Sequence, residues 1–180
     1  MLFLLFQLGG DRYALEVSQV IEVLPLLELK LLPQAPKGVA GVFNYRGRPV
    51  PAVDLSELTL GQRSAERMST RIVLVRYRTS SGASHLLGLV AENATEIMRK
   101  EVKDFADPGA RIEAAPFLGP VMMDAQGRPI QWLHHEHLLS QPFEHLLFSS
   151  QPPVMLQAVY DVAASTNETS VPQRETSTKE

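Results

Sequence analysis

Three segments of this 180-residue chain recur in the same order, and any fold must accommodate both copies. The apolar run Phe3-Leu4-Leu5-Phe6 is matched by Ile72-Val73-Leu74-Val75. The stretch from Tyr13 to Leu24 is echoed from Leu87 to Met98, with apolar residues at matched positions and Glu22 opposite Glu96. Gly47-Arg48-Pro49-Val50 returns as Gly127-Arg128-Pro129-Ile130. A shared order is harder to reach by chance than any single match. It predicts a duplicated half-domain, with two similar lobes and a seam between them.

Most apolar segments are short, rich in Val, Ile, Leu and Phe, and bounded by Gly, Pro, Asn or Asp, which is the pattern of strands and turns. Expected strands are Leu2 to Leu8, Arg12 to Leu15, Val20 to Pro25, Gly41 to Asn44 and Arg48 to Asp54. The second half supplies Arg71 to Arg78, His85 to Ala91, Thr95 to Met98, Leu118 to Met123 and Pro129 to Leu133. Two sets of five short strands predict an all-β chain built as two small barrels rather than one open sheet. Leu55 to Leu60 and His134 to Leu139 each read as a helical turn or two, and Pro36 as the start of another. Gly61 to Ser69 reads as the loop between halves and Thr79 to Ser84 as a hairpin loop. The core domain is expected over 1–145, as two intertwined barrel lobes over roughly 15–65 and 70–140 with the N-terminal strand added. Val154 to Ala164 keeps enough apolar content for a weak helix, whereas Ser165 to Glu180 has almost nothing to bury. Residues 151–180 are therefore expected to form a polar, disordered tail.

Composition narrows the function. Apolar residues are 44% of the chain, enough to build a core. The net charge of −3 and the lack of a basic stripe argue against a nucleic-acid binder that neutralises phosphates. With no cysteine, thiolate catalysis, disulfides and Cys-ligated zinc are excluded. The apolar start, Met1 to Leu8, is too short to cross a membrane and reads as a strand, so a cytoplasmic setting without membrane insertion is expected.

Catalytic motifs are missing: there is no nucleophile elbow, phosphate-binding loop or His-Glu-x-x-His. His134 and His137 are close enough in sequence to share a helical face, but no third ligand accompanies them, so His134-His135-Glu136-His137 reads as a partly solvated turn. Asp54 stands where it would cap the following helical turn. Trp132 reads as core, and of Met122 and Met123 one should face in and one out. His85 reads as a polar residue at a strand edge. No residue is assigned to catalysis, a cofactor or a metal. The sharpest segment is Gly41 to Pro51, read as strand, tight turn and strand with Asn44 and Gly47 supplying the turn. Arg46 projects there, either solvated and inert or as a fork for a carboxylate at a docking surface.

Asn44-Tyr45-Arg46-Gly47-Arg48 followed by Val50-Pro51-Ala52-Val53-Asp54-Leu55 resembles the CheW family signature, an Asn-x-Arg-Gly turn with a Val-Pro-x-x-Asp-Leu strand. Tyr13-Ala14-Leu15, Val20 to Val23, Leu32 to Pro36, Val39 to Val42, Arg71 to Val75 and Gly88 to Glu92 also follow that family, from about Leu2 to Leu139. The resemblance implies two five-stranded SH3-like barrels around a shared hydrophobic seam, and an adaptor without catalytic activity. It implies as partners a chemoreceptor cytoplasmic tip and the regulatory domain of a CheA-type histidine kinase. Carried over by position, Arg46 is the arginine of the signature turn and Glu22 the acidic residue associated with it, with Val20, Val42 and Asn44 beside them. Whether Glu22 and Arg46 pair with each other or reach a partner is open at this level. The second-half turn Met123 to Gly127 lacks the Arg-Gly signature, and His134-His135-Glu136 stands where the family often has Asp-Leu. An adaptor of a surface-sensing circuit with diguanylate cyclase output is one alternative. A metal-binding or small-ligand-binding barrel, with a metabolite in the seam, is another.

Overall fold

The computed structural model describes residues 1–107, 109 and 113–148. The expected helix over 154–164 and the expected tail over 151–180 lie outside them. The strands are β1 (Leu2–Leu8), β2 (Asp11–Glu16), β3 (Val20–Pro25), β4 (Val39–Tyr45), β5 (Arg48–Asp54), β6 (Arg71–Arg78), β7 (Ser84–Arg99), β8 (Leu118–Met123) and β9 (Pro129–Leu133). Helix α1 (Leu55–Leu60) follows β5, and α2 (Gln141–Phe148) follows β9.

The two strands expected over His85 to Ala91 and Thr95 to Met98 are one 16-residue strand, β7. Glu92-Asn93-Ala94 reads as a break because Asn favours turns. Here Asn93 takes a left-handed φ of 50° within the strand, and the pairing with β1 shifts register beside it. An Asn tolerates that conformation, so the chain bends through a bulge instead of turning back. The first part of β7 pairs with β6 and the second part with β1.

One barrel contains β3, β6, the start of β7, β5 and β4; the other contains the end of β7, β1, β2, β9 and β8. A Lys30–Val42 bridge adds the segment after β3 to the edge of the first barrel, and an Ala106–Val121 bridge does the same after β7 in the second. The pairings obey a pseudo-two-fold rule. β1–β2 corresponds to β6–β7, β4–β5 to β8–β9, and the parallel pair β2–β9 to the parallel pair β5–β7. The two lobes, expected over roughly 15–65 and 70–140, are intertwined by exchanged strands. β6 and the start of β7 complete the first barrel, while β1 and β2 complete the second. The repeat units exchange strands because their parallel partners lie in the other half.

This exchange accounts for the matched apolar runs. In β1, Phe3 and Leu5 face the interior of the second barrel, while Leu4, Phe6 and Leu8 face the seam. In β6, Ile72 and Leu74 face the first barrel, while Val73, Val75 and Tyr77 face the seam. A strand buried on both faces needs apolar residues at successive positions, not alternate ones. Each such side chain contributes about 1.5–3 kcal/mol when fully buried. The seam also holds Leu15, Val53, Leu87, Leu89 and Leu133, all at most 2% exposed, so side chains fill it. Trp132 packs edge-on against Phe3 in the second barrel, Met122 is buried and Met123 is exposed, as expected.

Asp54 caps α1 by accepting the Glu57 amide at 3.0 Å. The stretch read as helical from His134 to Leu139 is a single 3-10 turn over His135–His137. The sequence reading places no element between Leu139 and the tail, but α2 lies there and packs Leu147 into the seam core.

Candidate protein-interaction site

Arg46 and Gly47 form the two-residue loop between β4 and β5, with φ of 52° and 81°. Two successive positive φ values match the twist of the flanking strands, the geometry of a type I′ hairpin turn. Glycine adopts it freely. For Arg46 the left-handed conformation costs about 1–2 kcal/mol. The Asn44 side chain steadies the loop by accepting the Gly47 amide at 2.8 Å.

The loop leans on β3. Arg46 Nη2 donates to Glu22 Oε2 at 3.1 Å, and the Tyr45 hydroxyl donates to the same oxygen at 2.7 Å. The guanidinium carbon of Arg46 stands 5.0 Å from the centre of the Tyr45 ring. The hydrogen bond to Glu22, together with partial burial, pushes the Tyr45 hydroxyl above its ordinary value and keeps it a donor. Arg46 nevertheless stays 75% exposed and Glu22 39%. Ion pairs this open contribute only ~0–1 kcal/mol. That does not clearly exceed the cost of the backbone conformation, so the turn is not explained by its own stability.

Of the residues singled out from sequence, Glu22, Asn44 and Arg46 come together here. Val20 is half-buried and packs on the seam core. Val42 is 4% exposed, packs against Leu32 and exchanges backbone hydrogen bonds with Lys30. Its side chain does not reach the surface beside Arg46, because Leu32 and the Lys30 segment pack over that end of β4. Two features escaped the residue-by-residue reading. Tyr45 is a third member of the Glu22–Arg46 group. Ile21 and Val23, each 41% exposed, present an apolar strip on the side of β3 opposite Glu22. Strand alternation contains the signal for that strip, since Ile21 and Val23 both flank Glu22.

The equivalent corner of the second barrel is built differently. Its hairpin loop, Ala125 to Gly127, is one residue longer, and Asp124 accepts the Gln126 and Arg128 amides, each at 2.9 Å. Those amides, the Arg128 amide foremost, hold the Asp124 carboxyl below its ordinary value. Glu96, the counterpart of Glu22, pairs at 2.9 Å with Arg12, which also reaches Asp124 at 3.2 Å. The acidic residue is thus paired with Arg12 of β2, across β1, and not with the hairpin tip.

The histidines do not converge. His135 is 3% exposed and directs Nε2 to the Arg76 carbonyl at 3.1 Å, so it is a buried residue and not part of a solvated turn. His134 stacks on Trp132, and His85 stacks on Phe148 instead of standing free at a strand edge. Among the described residues, no three His, Asp or Glu side chains gather closely enough to hold a metal ion.

A family model described as a CheW-like domain matches residues 2–143. The chain belongs to the CheW-like family. The curated relatives that match it include chemotaxis proteins. Chemotaxis protein CheW of Helicobacter pylori is 28% identical over 107 residues, which span 59% of this chain and 61% of that protein. Protein FrzA of Myxococcus xanthus is 29% identical over 139 residues, 76% of this chain and 84% of FrzA. The crystal structure of scaffolding protein TtCheW from Thermoanaerobacter tengcongensis matches with a TM-score of 0.67 at 18% identity, covering 86% of this chain and 92% of that one. At that identity the likeness speaks for the CheW fold of paired SH3-like barrels. Among the described residues, no helix is long and apolar enough to cross a membrane.

Proposed function

We propose that this CheW-like chain is a non-catalytic adaptor that couples a methyl-accepting chemoreceptor-like sensor to a CheA-type histidine kinase, in the cytoplasm beside membrane-held receptors. The observation that carries this reading is the Arg46 turn. An arginine is held in a costly left-handed conformation, its guanidinium kept in place by Tyr45 and Glu22 yet open to solvent. A guanidinium so placed is available to a partner's carboxylate through charge-assisted hydrogen bonds. The apolar strip of Ile21 and Val23 on the same strand as Glu22 suits the apolar face of a partner helix.

The test is recovery of partners by tagged full-length protein from its own cells, beside Arg46→Glu, with mass spectrometric identification. The expected result is a receptor and a CheA-type kinase with wild type, and at least about tenfold less receptor with the variant, in line with loss of a desolvated charge pair. Equal receptor recovery by a folded Arg46→Glu protein would remove the turn from the interface. The kinase recovered would also separate a motility circuit from a surface-sensing one.

A further inference from the structure

Helix α2 is held to the barrels by side chains. Among the described residues, no backbone hydrogen bond joins it to a strand. Phe143 and Leu147, four apart, pack on the seam core, and Phe148 stacks on His85 and Tyr77 with ring centres 4.5 and 5.6 Å away. Between these apolar contacts sits a carboxylate. Glu144 is 7% exposed, and its oxygens accept the Tyr77 hydroxyl at 2.8 Å, the Ser80 amide at 2.9 Å and the Ser80 hydroxyl at 2.7 Å. All these donors come from the end of β6 and the loop after it. Clefts of about 440 and 580 Å³ border this junction, and Thr79, Ser80, Gln141 and Glu144 line both. Ser80 itself is exposed, on a loop that follows the exposed Arg76 and Arg78.

A buried carboxylate whose donors include an exposed hydroxyl is sensitive to the charge on that hydroxyl. The present contact attracts because Ser80 is neutral and donates a proton. A dianionic substituent on the same oxygen would lose the donor and face Glu144 at close range. We propose that Ser80 is a phosphorylation site and that the Ser80–Glu144 contact is a charge-gated latch, whose modification releases α2 from the end of the seam. In the step, the Ser80 hydroxyl gives up its proton and its oxygen bonds to the terminal phosphorus of a nucleoside triphosphate, while the bond from that phosphorus to the departing diphosphate breaks. A protein serine kinase supplies the catalysis, and Arg76 and Arg78 offer cations upstream of the acceptor. Release uncovers Tyr77, His85 and Leu147. The inference is independent of the adaptor reading and concerns a different face.

The test is amide hydrogen exchange on the full chain, followed by mass spectrometry, for wild type, Ser80→Asp, Ser80→Asn and the double variant Ser80→Asp with Glu144→Gln. Exchange over 141–148 and 77–85 should rise about tenfold or more in Ser80→Asp, with little change over β1 to β5, as for a local opening. Ser80→Asn, equal in size and neutral, should stay within about threefold of wild type, and Glu144→Gln should restore protection to the Asp variant. Equal effects of Asp and Asn, or faster exchange across the whole chain at once, would overturn the latch. Phosphopeptide mapping of the chain isolated from its own cells should find the phosphoryl group on Ser80, and its absence across growth conditions would overturn the assignment of the site.

Discussion

At the scale of single residues, Arg46 and the acidic side chains show how local chemistry and stability separate. Asn suits a left-handed turn position better than Arg, so Arg46→Asn should leave stability unchanged or raise it by up to about 1 kcal/mol while receptor recovery falls. Thermal unfolding measures the first effect, and a loss beyond about 1 kcal/mol would make Arg46 a structural residue. Among the described residues, three carboxyls titrate below their ordinary values. Glu136 is drawn down to about 2 chiefly by the hydrogen bond from His135. For Glu144, burial pushes upward, but the Ser80 amide, Ser80 hydroxyl and Tyr77 hydroxyl outweigh it. Asp124 is lowered by the amides of its own turn. A depressed folded-state value means the unfolded chain binds more protons at acid pH, so this stabilisation is complete above about pH 4.5 and is lost as pH falls through the folded values. The melting temperature should thus be flat from pH 7 to about 5 as far as these groups govern it, then fall towards pH 2. Glu144→Gln should melt lower at pH 7 and show a shallower acid decline; an unchanged acid decline would exclude Glu144 as a contributor.

At the scale of elements, barrel closure depends on close backbone approach. Gly41 has a φ of 143°, and a Cβ there would lie 2.6 Å from the Lys30 carbonyl oxygen. That approach lets Lys30 and Val42 exchange hydrogen bonds at 2.9 and 3.0 Å, joining the segment after β3 to the edge of β4. Gly41→Ala should therefore cost about 2–3 kcal/mol, combining backbone strain with a clash that no flexible side chain can relieve. Urea denaturation would measure the loss, and exchange of the Lys30 and Val42 amides should quicken. A change under about 0.5 kcal/mol would show that this edge closes without the bridge. The hairpin tips lie at the other extreme. They differ between barrels in length and chemistry, because a solvent-exposed turn need satisfy only its flanking strands.

At the scale of the whole molecule, strand exchange makes the two barrels one cooperative body. β7 serves both, and β1 and β6 bury one face in a barrel and the other in the seam. The single Trp, Trp132, reports from the second barrel. Its fluorescence should lose its native signal at the same denaturant concentration as the far-ultraviolet circular dichroism of the entire chain. Leu74→Ala, a truncation in the first barrel at a fully buried position, should lower stability by about 2–5 kcal/mol and move both curves together. A fluorescence midpoint that stays put while the dichroism shifts would mean that the barrels unfold separately.

The strands β1, β3, β5, β6, β8 and β9, the helix after Asp54, the duplication and the Arg46 turn were all legible in the sequence, because each rests on local rules: apolar patterning, a capping carboxylate, and turn residues with their own φ preferences. The SH3-like form of the barrels and the association of Glu22 with Arg46 came into view only through resemblance to the CheW family, and that the two pair with each other only in the structure. What the tertiary structure decided was partnership. β7 runs through Asn93 because β1 is there to pair with its second half, and Val42 turns inward because Lys30 closes on it. Glu144 and His135 became buried polar groups because donors and acceptors from β6 and its loop meet them there. Such contacts join residues far apart in the chain, and no periodicity or short motif encodes which distant group will stand opposite.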